Sequence, residues 1–190
     1  YTMSSQTQIF AVTGKPVLHS KSPNMFNAMF GYAYKDAAYV RVAAKDAEQA
    51  IFLFKSLGIK GMNVTAPFKE KIIRYIDVIH DEAKILKSVN TIVNKNGKLH
   101  GYNTDFYGVT QSFEDAGISI KNKTCLVIGA GGAGKSAAYG MHTKGAQVTI
   151  TNRTFAKAKK AARIIGCKAA SIENIQQLVE EHDIIISSLH

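Results

Sequence analysis

Short apolar runs alternate with amphipathic segments along nearly the whole chain, a pattern typical of strands that alternate with helices. In the first part, this pattern predicts strands over residues 9–12, 38–42, 61–64 and 91–94. It predicts helices over residues 24–31, 47–57, 69–79 and 105–116. Asn96-Gly97 predicts a hairpin turn, Thr104 predicts a helix N-cap, and Gly117 predicts a left-handed residue at the end of the last helix.

The same alternation restarts near residue 121 and continues to the end of the chain. Residues 123–128 and 148–151 are short β-branched runs that predict buried parallel strands, and residues 184–186 predict another strand. The restart predicts two domains, over residues 1–118 and 119–190. We therefore expect an α/β protein with a mostly parallel sheet in each domain and a cleft between them, since such sheets bind ligands at their carboxyl ends.

Residues 129–136 read Gly-Ala-Gly-Gly-Ala-Gly-Lys-Ser and fit two nucleotide-binding patterns at once. As G-x-G-x-x-G they indicate a Rossmann-type dinucleotide-binding domain, in which glycines let a diphosphate approach a helix N-terminus. As G-x-x-x-x-G-K-S they indicate the phosphate loop of an ATPase or GTPase. A structural turn without a ligand is the third interpretation.

The sequence after the glycines favours a dinucleotide. A phosphate-loop NTPase holds magnesium partly through an Asp that closes an apolar strand, whereas Asp183 precedes the run 184–186. The predicted strand 148–151 is followed by Arg153, with Lys157 one helical turn later. An acidic residue at this place would hold a free ribose 2′-hydroxyl, but cations pair with a 2′-phosphate. We therefore expect NADP rather than NAD.

Composition and charge argue against several function classes. The net charge of +10 comes from scattered Lys and Arg, without the dense basic block or aromatic platform of a nucleic-acid-binding protein. No apolar run is long enough for a membrane span, and no signal peptide is recognisable. Cys125 and Cys167 lack the spacing of a metal site or a redox pair. We therefore expect a cytoplasmic monomer or homodimer that binds an anionic small molecule and no metal.

Polar residues cluster where the predicted strands of the first domain end. Ser20 and Ser22 precede a helix and would suit a carboxylate, although Ser22 followed by Pro23 also fits a plain N-cap. Lys69 and Asp105 each have an ordinary interpretation, as a solvated lysine and as a carboxylate that complements a helix dipole. Their placement at strand ends predicts instead an ion pair that faces the cleft.

Six motifs in order resemble those of the shikimate dehydrogenases, over nearly the whole chain. They are Lys15-Pro16 with Ser-Lys-Ser-Pro at 20–23, Asn-Val-Thr-Ala-Pro-Phe-Lys at 63–69, Asn90-Thr91, Gly-Tyr-Asn-Thr-Asp at 101–105, the glycine loop at 129–134, and Asn-Arg-Thr at 152–154. The resemblance implies a substrate domain followed by a Rossmann-type domain. It also implies NADPH-dependent, reversible reduction of 3-dehydroshikimate to shikimate, on the route to chorismate and the aromatic amino acids.

The resemblance also implies roles for individual residues. Lys69 and Asp105 are similar to the family's catalytic pair. The residues similar to its substrate-binding groups are Ser20, Ser22, Asn63, Thr65, Lys69, Asn90 and Asp105. The residues similar to its cofactor-binding groups are Gly129, Ala130, Gly131, Gly132, Ala133, Asn152, Arg153, Thr154 and Asp81. Lys157 is added to this set because it lies one helical turn after Arg153.

The chain departs from the family pattern in two places. That pattern usually continues beyond the strand 184–186 with further strands and helices, so we expect the Rossmann-type domain to be incomplete. Gly134 and Lys135 stand where the glycine loop commonly ends in a different small residue and Arg.

Three alternative functions stay open at this point. A quinate/shikimate dehydrogenase often shows Thr in place of Ser20 or Ser22 and an acidic residue near the ribose, which makes it a rival within the same fold. A phosphate-loop NTPase is disfavoured because no Asp closes an apolar strand to hold magnesium. A binding module without catalysis is disfavoured because Lys69 and Asp105 are both present.

Overall fold

The computed structural model describes residues 4–189. The chain divides into two compact units, with the boundary between Asn103 and Thr104. Each unit has its own sheet and its own buried core. The architecture is α/β in both, which confirms the predicted fold class.

The described part of the first unit contains six strands, three helices and one 3-10 helix. The strands are β1 (Gln8–Gly14), β2 (Ala37–Ala43), β3 (Gly61–Val64), β4 (Val78–Ile79), β5 (Thr91–Lys95) and β6 (Lys98–Tyr102). The helices are α1 (Ser22–Tyr32), α2 (Ala47–Ser56) and α3 (Asp81–Leu86), and the 3-10 helix covers Lys71–Tyr75.

The first sheet has the order β2-β1-β3-β5-β6-β4 and is mostly parallel. Strand β1 is paired in parallel with both β2 and β3, while β5 runs antiparallel to β3 and β6. Asn96 and Gly97 both have positive φ and connect β5 to β6, which confirms the predicted hairpin.

The helix predicted over residues 69–79 is wrong. The chain forms the 3-10 helix and then β4, which pairs in parallel with β6. Backbone Asp77 N–H donates to Leu99 O, and the Asp77 carboxylate accepts from Leu99 N–H at 2.7 Å. β-Branched residues in this segment favour helix only weakly, so pairing with β6 decides its structure.

The core of the first unit lies between one face of the sheet and α2. Alternate strand residues such as Ala11, Met62 and Ile92 face Phe54 of α2, and all four are almost completely buried. Helix α1 packs on the opposite face through Phe26 and Phe30. Because both faces of β1 are covered by helices, its residues from Ala11 to Gly14 are buried.

The described part of the second unit contains four strands, four helices and one 3-10 helix. The strands are β7 (Thr124–Ile128), β8 (Gln147–Asn152), β9 (Lys168–Ser171) and β10 (Ile184–Ser187). The helices are α4 (Asp105–Asp115), α5 (Gly132–Thr143), α6 (Phe155–Ile165) and α7 (Ile175–Glu180), with a 3-10 helix at Ile172–Asn174.

The second sheet is entirely parallel and has the order β10-β7-β8-β9. The chain proceeds outward from β7 to β9 and then returns to place β10 on the other side of β7. Such a reversal of strand order makes a topological switch point at the carboxyl end of β7, where ligands of open α/β sheets bind.

Helix α4 groups with the second unit because it packs on α5. A Cβ at Gly140 would lie 3.0 Å from Phe106 O, so glycine permits this close approach. The division therefore falls before α4, whereas the boundary expected from the sequence falls after it. Gly117 has a φ of +71° and follows α4, and Thr104 occupies the N-cap position of α4, both as predicted. The Thr104 side chain makes no cap hydrogen bond.

Asp183 joins the start of β10 to the start of β7. Its carboxylate accepts from Thr124 N–H at 2.9 Å and from the Thr124 hydroxyl at 3.0 Å. These two bonds, the backbone one first, lower the pKa of Asp183 below its ordinary value of 3.8.

We predict that Asp183→Asn lowers the melting temperature at pH 7 and loses this effect in acid. A lowered pKa stabilises the folded state above pH 3.8, and that stabilisation disappears as the pH falls through the folded-state value. Thermal unfolding of the variant and wild type at pH 7 and at about pH 3 measures the difference. Asp115→Asn, at the exposed end of α4, is the control; a pH-independent difference for Asp183→Asn would contradict the assignment.

Candidate active site

Two serine hydroxyls converge in the loop between β1 and α1. Ser20 Oγ donates to Ser22 Oγ at 3.2 Å, and Ser22 N–H donates to Ser20 Oγ at 3.3 Å. The Arg41 guanidinium on β2 donates from Nε to the Ser20 carbonyl oxygen at 3.0 Å and also from Nη2. Two hydroxyls and a guanidinium that bonds to the same loop form a polar, cationic cluster that suits a carboxylate.

The interpretation of Ser22 as an N-cap is wrong. Helix α1 begins at Ser22 itself, Lys21 occupies the N-cap position, and no side chain caps the helix. Pro23 does lie in the first turn, as predicted. The Ser22 hydroxyl is therefore paired with Ser20 rather than with the helix backbone.

Three side chains at the ends of β3 and β5 form a hydrogen-bonded chain. Asn63 and Thr91 are register partners, and Asn63 Nδ2 donates to Thr91 Oγ1 at 3.2 Å. Thr91 Oγ1 in turn donates to Asn90 Oδ1 at 3.0 Å. The structure therefore brings together two predicted substrate-binding residues, Asn63 and Asn90, from strands far apart in the sequence.

Thr65 and Lys69 lie in the segment that leaves β3. Thr65 N–H donates to Thr13 O at 2.9 Å, and Phe68 N–H donates back to Thr65 O, which forms a turn. Lys69 is half-buried, and its carbonyl accepts from Val89 N–H at 2.9 Å, next to Asn90. The lysine therefore precedes the 3-10 helix rather than entering an α-helix, and its backbone lies beside the Asn90 segment.

Asp105 and Asp81 are both first residues of helices. Asp105 begins α4 in the second unit and is half-buried. Asp81 begins α3 in the first unit, is exposed, and accepts from Lys84 at 3.3 Å. Its predicted place near the cofactor stays a prediction.

The glycine loop makes a tight turn between β7 and α5. Gly129 has a φ of +113°, which favours glycine, and its N–H donates to Thr151 O at 2.7 Å. A Cβ at Gly134 would lie only 2.0 Å from Gly129 O, so the turn closes on itself at this point. At Gly131 and Gly132 a Cβ would meet no atom within 4 Å. The N-terminus of α5 is thus open beside these two glycines, where its first backbone amides suit an anion.

Asn152 connects the glycine loop to the end of β8. Its Oδ1 accepts from Ala130 N–H at 3.2 Å, and its Nδ2 donates to Thr154 O at 3.1 Å. Of the residues predicted to bind cofactor, Asn152 and Ala130 are therefore in direct contact. The amide of Asn152 therefore links the glycine loop, which suits a diphosphate, to the loop that follows β8.

Cations gather at the N-terminus of α6. Arg153 and Lys157 are exposed there, and the first turn of α6 holds no acidic residue. Positive side chains next to a helix N-terminus are unfavourable because the helix dipole is positive at that end. A bound anion such as a phosphate would offset this unfavourable interaction.

The position of Asp183 does not fit a phosphate-loop NTPase. Asp183 lies at the start of β10, next to the start of β7, whereas the glycine loop follows the end of β7.

Within residues 4–189, no group of three or more His, Cys, Asp and Glu side chains could hold a metal ion. Burial raises the pKa of Cys125 to about 12 and that of Cys167 to about 11, so neither is a reactive thiolate at neutral pH.

Among the residues that the structure describes, no helix has the length and apolar character required to cross a membrane.

Sequence reasoning missed two residues at this site, Tyr39 and Arg41. Both lie on β2, and their partners Asn63 and Ser20 belong to other elements. No motif or spacing marks either residue. The alternation of β2 predicts only that both point to the same face of the sheet.

The fold and these sites define a two-unit α/β protein with a polar site in one unit and a dinucleotide-type glycine loop in the other. Residues 12–92 match the shikimate dehydrogenase substrate binding domain, and residues 110–190 match the shikimate/quinate 5-dehydrogenase domain. The chain belongs to the shikimate dehydrogenase family.

Individual relatives agree with this membership. The chain is 36% identical to the NADP(+) shikimate dehydrogenase of Alkaliphilus oremlandii, over 99% of this chain and 70% of that protein. The crystal structure of Aquifex aeolicus shikimate dehydrogenase superposes with a TM-score of 0.91 at 38% identity, covering 99% of this chain and 71% of the other. The Thermus thermophilus shikimate 5-dehydrogenase in complex with NADP(H) and shikimate gives a TM-score of 0.86 at 29% identity, covering 96% of this chain and 69% of the other.

We predict that Gly134→Ala destabilises the second unit. The new methyl group would collide with backbone atoms of Gly129, which cannot move without reshaping the turn, so we expect a loss of about 1–3 kcal/mol. The matched control is Gly132→Ala, whose methyl group meets no atom within 4 Å. Chemical denaturation of both variants measures the two costs, and equal stabilities would contradict the tight closure of the loop.

Proposed function

We propose that this chain catalyses the reaction for which its relatives are named, the NADP-dependent, reversible reduction of 3-dehydroshikimate to shikimate. The observation that carries the proposal is the polar site of the first unit. There the Ser20 and Ser22 hydroxyls are paired in the loop between β1 and α1, and the Asn63–Thr91–Asn90 chain lies at strand ends of the same sheet. A carboxylated ring that bears several hydroxyl groups matches this set of donors and acceptors.

The serine loop binds the substrate carboxylate in this proposal. The Ser20 and Ser22 hydroxyls are adjacent, and the guanidinium of Arg41 adds positive charge beside them. Charge-assisted hydrogen bonds of this kind are about twice as strong as neutral ones. Asn63, Thr65 and Asn90 bind the ring hydroxyls, for which amide and hydroxyl groups supply both donors and acceptors.

We assign proton transfer to the pair Lys69 and Asp105. When bound, the nicotinamide cofactor supplies or accepts the hydride. The Lys69 ammonium donates a proton to the substrate oxygen during reduction and takes it back during oxidation. Asp105 is assigned to the catalytic pair by family resemblance, and the Lys69 ammonium also stabilises negative charge that develops on the oxygen.

The second unit fits the cofactor. The open N-terminus of α5, with Gly129, Ala130, Gly131, Gly132 and Ala133 before and within its first turn, suits the diphosphate. Asn152, Arg153, Thr154 and Lys157 suit the adenosine ribose and its 2′-phosphate. Asp81, in the first unit, is assigned to the cofactor by family resemblance alone.

The alternative functions are less well supported. Ser20 and Ser22 are both serines, and Arg153 rather than an acidic residue follows β8, which disfavours a quinate/shikimate dehydrogenase. The relatives named above are shikimate dehydrogenases, and none is a phosphate-loop NTPase.

We predict that Lys69→Ala lowers the rate of shikimate-dependent NADP reduction by about two to four orders of magnitude. Loss of the proton donor affects the chemical step, whereas NADPH binding, which depends on the second unit, should change little. Absorbance of the reduced nicotinamide measures turnover, and fluorescence titration measures NADPH binding.

The matched control for Lys69→Ala is Lys71→Ala, an exposed lysine two positions later in the 3-10 helix, which should stay active. Parallel loss of turnover and NADPH binding in Lys69→Ala would overturn the catalytic assignment. A wild-type protein that binds both ligands without turnover would overturn the proposed function.

We predict that Arg153→Ala weakens NADPH binding about 10- to 100-fold and leaves NADH binding nearly unchanged, because the variant loses a charge-assisted bond to the 2′-phosphate. Titration with each cofactor measures the ratio of the two dissociation constants. Arg163→Ala, an exposed arginine in the last turn of the same helix, is the control. An unchanged ratio in Arg153→Ala would refute the NADP assignment at this residue.

A further inference from the structure

The Tyr39 side chain is held rigidly between β2 and α1. Its ring stacks on Phe26 with centroids 4.5 Å apart and planes 9° apart, and only 5% of the residue is exposed. The Asn27 amide donates to Tyr39 O at 2.9 Å and accepts from Tyr39 N–H at 2.8 Å. The backbone and the ring are both constrained, so the phenol hydroxyl points in one direction.

The Tyr39 hydroxyl donates to Asn63 Oδ1 at 2.5 Å. It therefore begins the chain of donors that continues from Asn63 Nδ2 to Thr91 Oγ1 and from there to Asn90 Oδ1. Every bond in this chain has the same sense. Burial raises the pKa of Tyr39 far above its ordinary value of 10, so the phenol keeps its proton and stays a donor at any working pH.

The donor at Tyr39 determines which way the Asn63 amide faces. A flipped amide would turn Oδ1 towards Thr91. The Thr91 hydroxyl has a single proton, so it could then donate to Asn63 or to Asn90 but not to both. In the observed orientation, every acceptor in the chain has a donor. Asn63 Nδ2 also carries a second N–H that this chain of bonds does not use.

We propose that Tyr39 is a positioning residue for substrate binding, which holds the Asn63 amide in the orientation that presents its nitrogen to a substrate hydroxyl. This inference rests on the proposed function, because the substrate contact of Asn63 does. Tyr39 itself acts through Asn63 and need not touch the substrate.

The first test is Tyr39→Phe, which removes the hydroxyl and keeps the aromatic ring that stacks on Phe26. We expect KM for shikimate to rise roughly tenfold, because the Asn63 amide loses the bond that selects its orientation. KM for NADP and the melting temperature should stay close to wild type. Tyr102→Phe is the matched control, since that hydroxyl also makes a side-chain hydrogen bond, in which it accepts from Lys95 at 2.7 Å, but lies outside the chain of donors.

A double-mutant cycle separates positioning from a general structural effect. If Tyr39 acts through Asn63, then Tyr39→Phe should have no further effect on KM for shikimate in the Asn63→Ala background. Independent, additive effects of the two substitutions would overturn the proposal. So would a rise in KM for NADP equal to that for shikimate.

NMR of the Asn63 side-chain amide tests the role of Tyr39 without relying on enzymatic activity. In the wild type, the Asn63 Nδ2 protons should exchange slowly, and Tyr39→Phe should accelerate their exchange and shift their resonances. Unchanged Asn63 signals in the variant would overturn the role of Tyr39. If the wild-type protein does not oxidise shikimate at all, the proposed function fails, whereas the NMR comparison still decides whether Tyr39 orients Asn63.

Discussion

Parallel pairing of one buried strand with neighbours on both sides is the constraint on which each unit depends. In the first unit, β1 pairs with β2 and β3, and this register places the ends of three strands together. A Cβ at Gly14 would lie 2.3 Å from Thr65 Cγ2, so the end of β1 and the exit from β3 are in close contact. In the second unit, β7 has the same place between β8 and β10. The serine loop of the first unit comes directly after β1, and the glycine loop of the second unit comes directly after β7.

The two sites use different sources of binding energy. The first unit presents side chains that hydrogen-bond one another in a fixed sense, so much of their orientation is set before any ligand arrives. The second unit presents backbone amides at the N-terminus of α5 and cations at the N-terminus of α6. Clustered positive charge of this kind opposes folding slightly and becomes favourable when an anion binds. Preorganised polar groups suit a small hydroxylated acid, while amides and cations suit phosphates.

Some elements could be predicted from local sequence and others could not. The β5–β6 hairpin follows from Asn96-Gly97, and the glycine loop follows from residues 129–134, because each conformation depends on the residues within it. The prediction of a helix over residues 69–79 was wrong because pairing with β6, which comes from elsewhere in the chain, overrides a weak helical preference. The N-cap prediction for Ser22 was wrong for a different, local reason, because the hydroxyl of Ser22 pairs with that of Ser20.

The sequence by itself determined the α/β class, the glycine loop, the family and the identity of the polar residues at strand ends, because these depend on local periodicity and on residue types at fixed spacing. Only the tertiary structure decided which polar side chains meet. The contacts of Tyr39 with Asn63 and of Arg41 with Ser20 join residues 24 and 21 positions apart. Such contacts depend on strand order and register, and a shift of one residue would turn each strand side chain to the other face of the sheet.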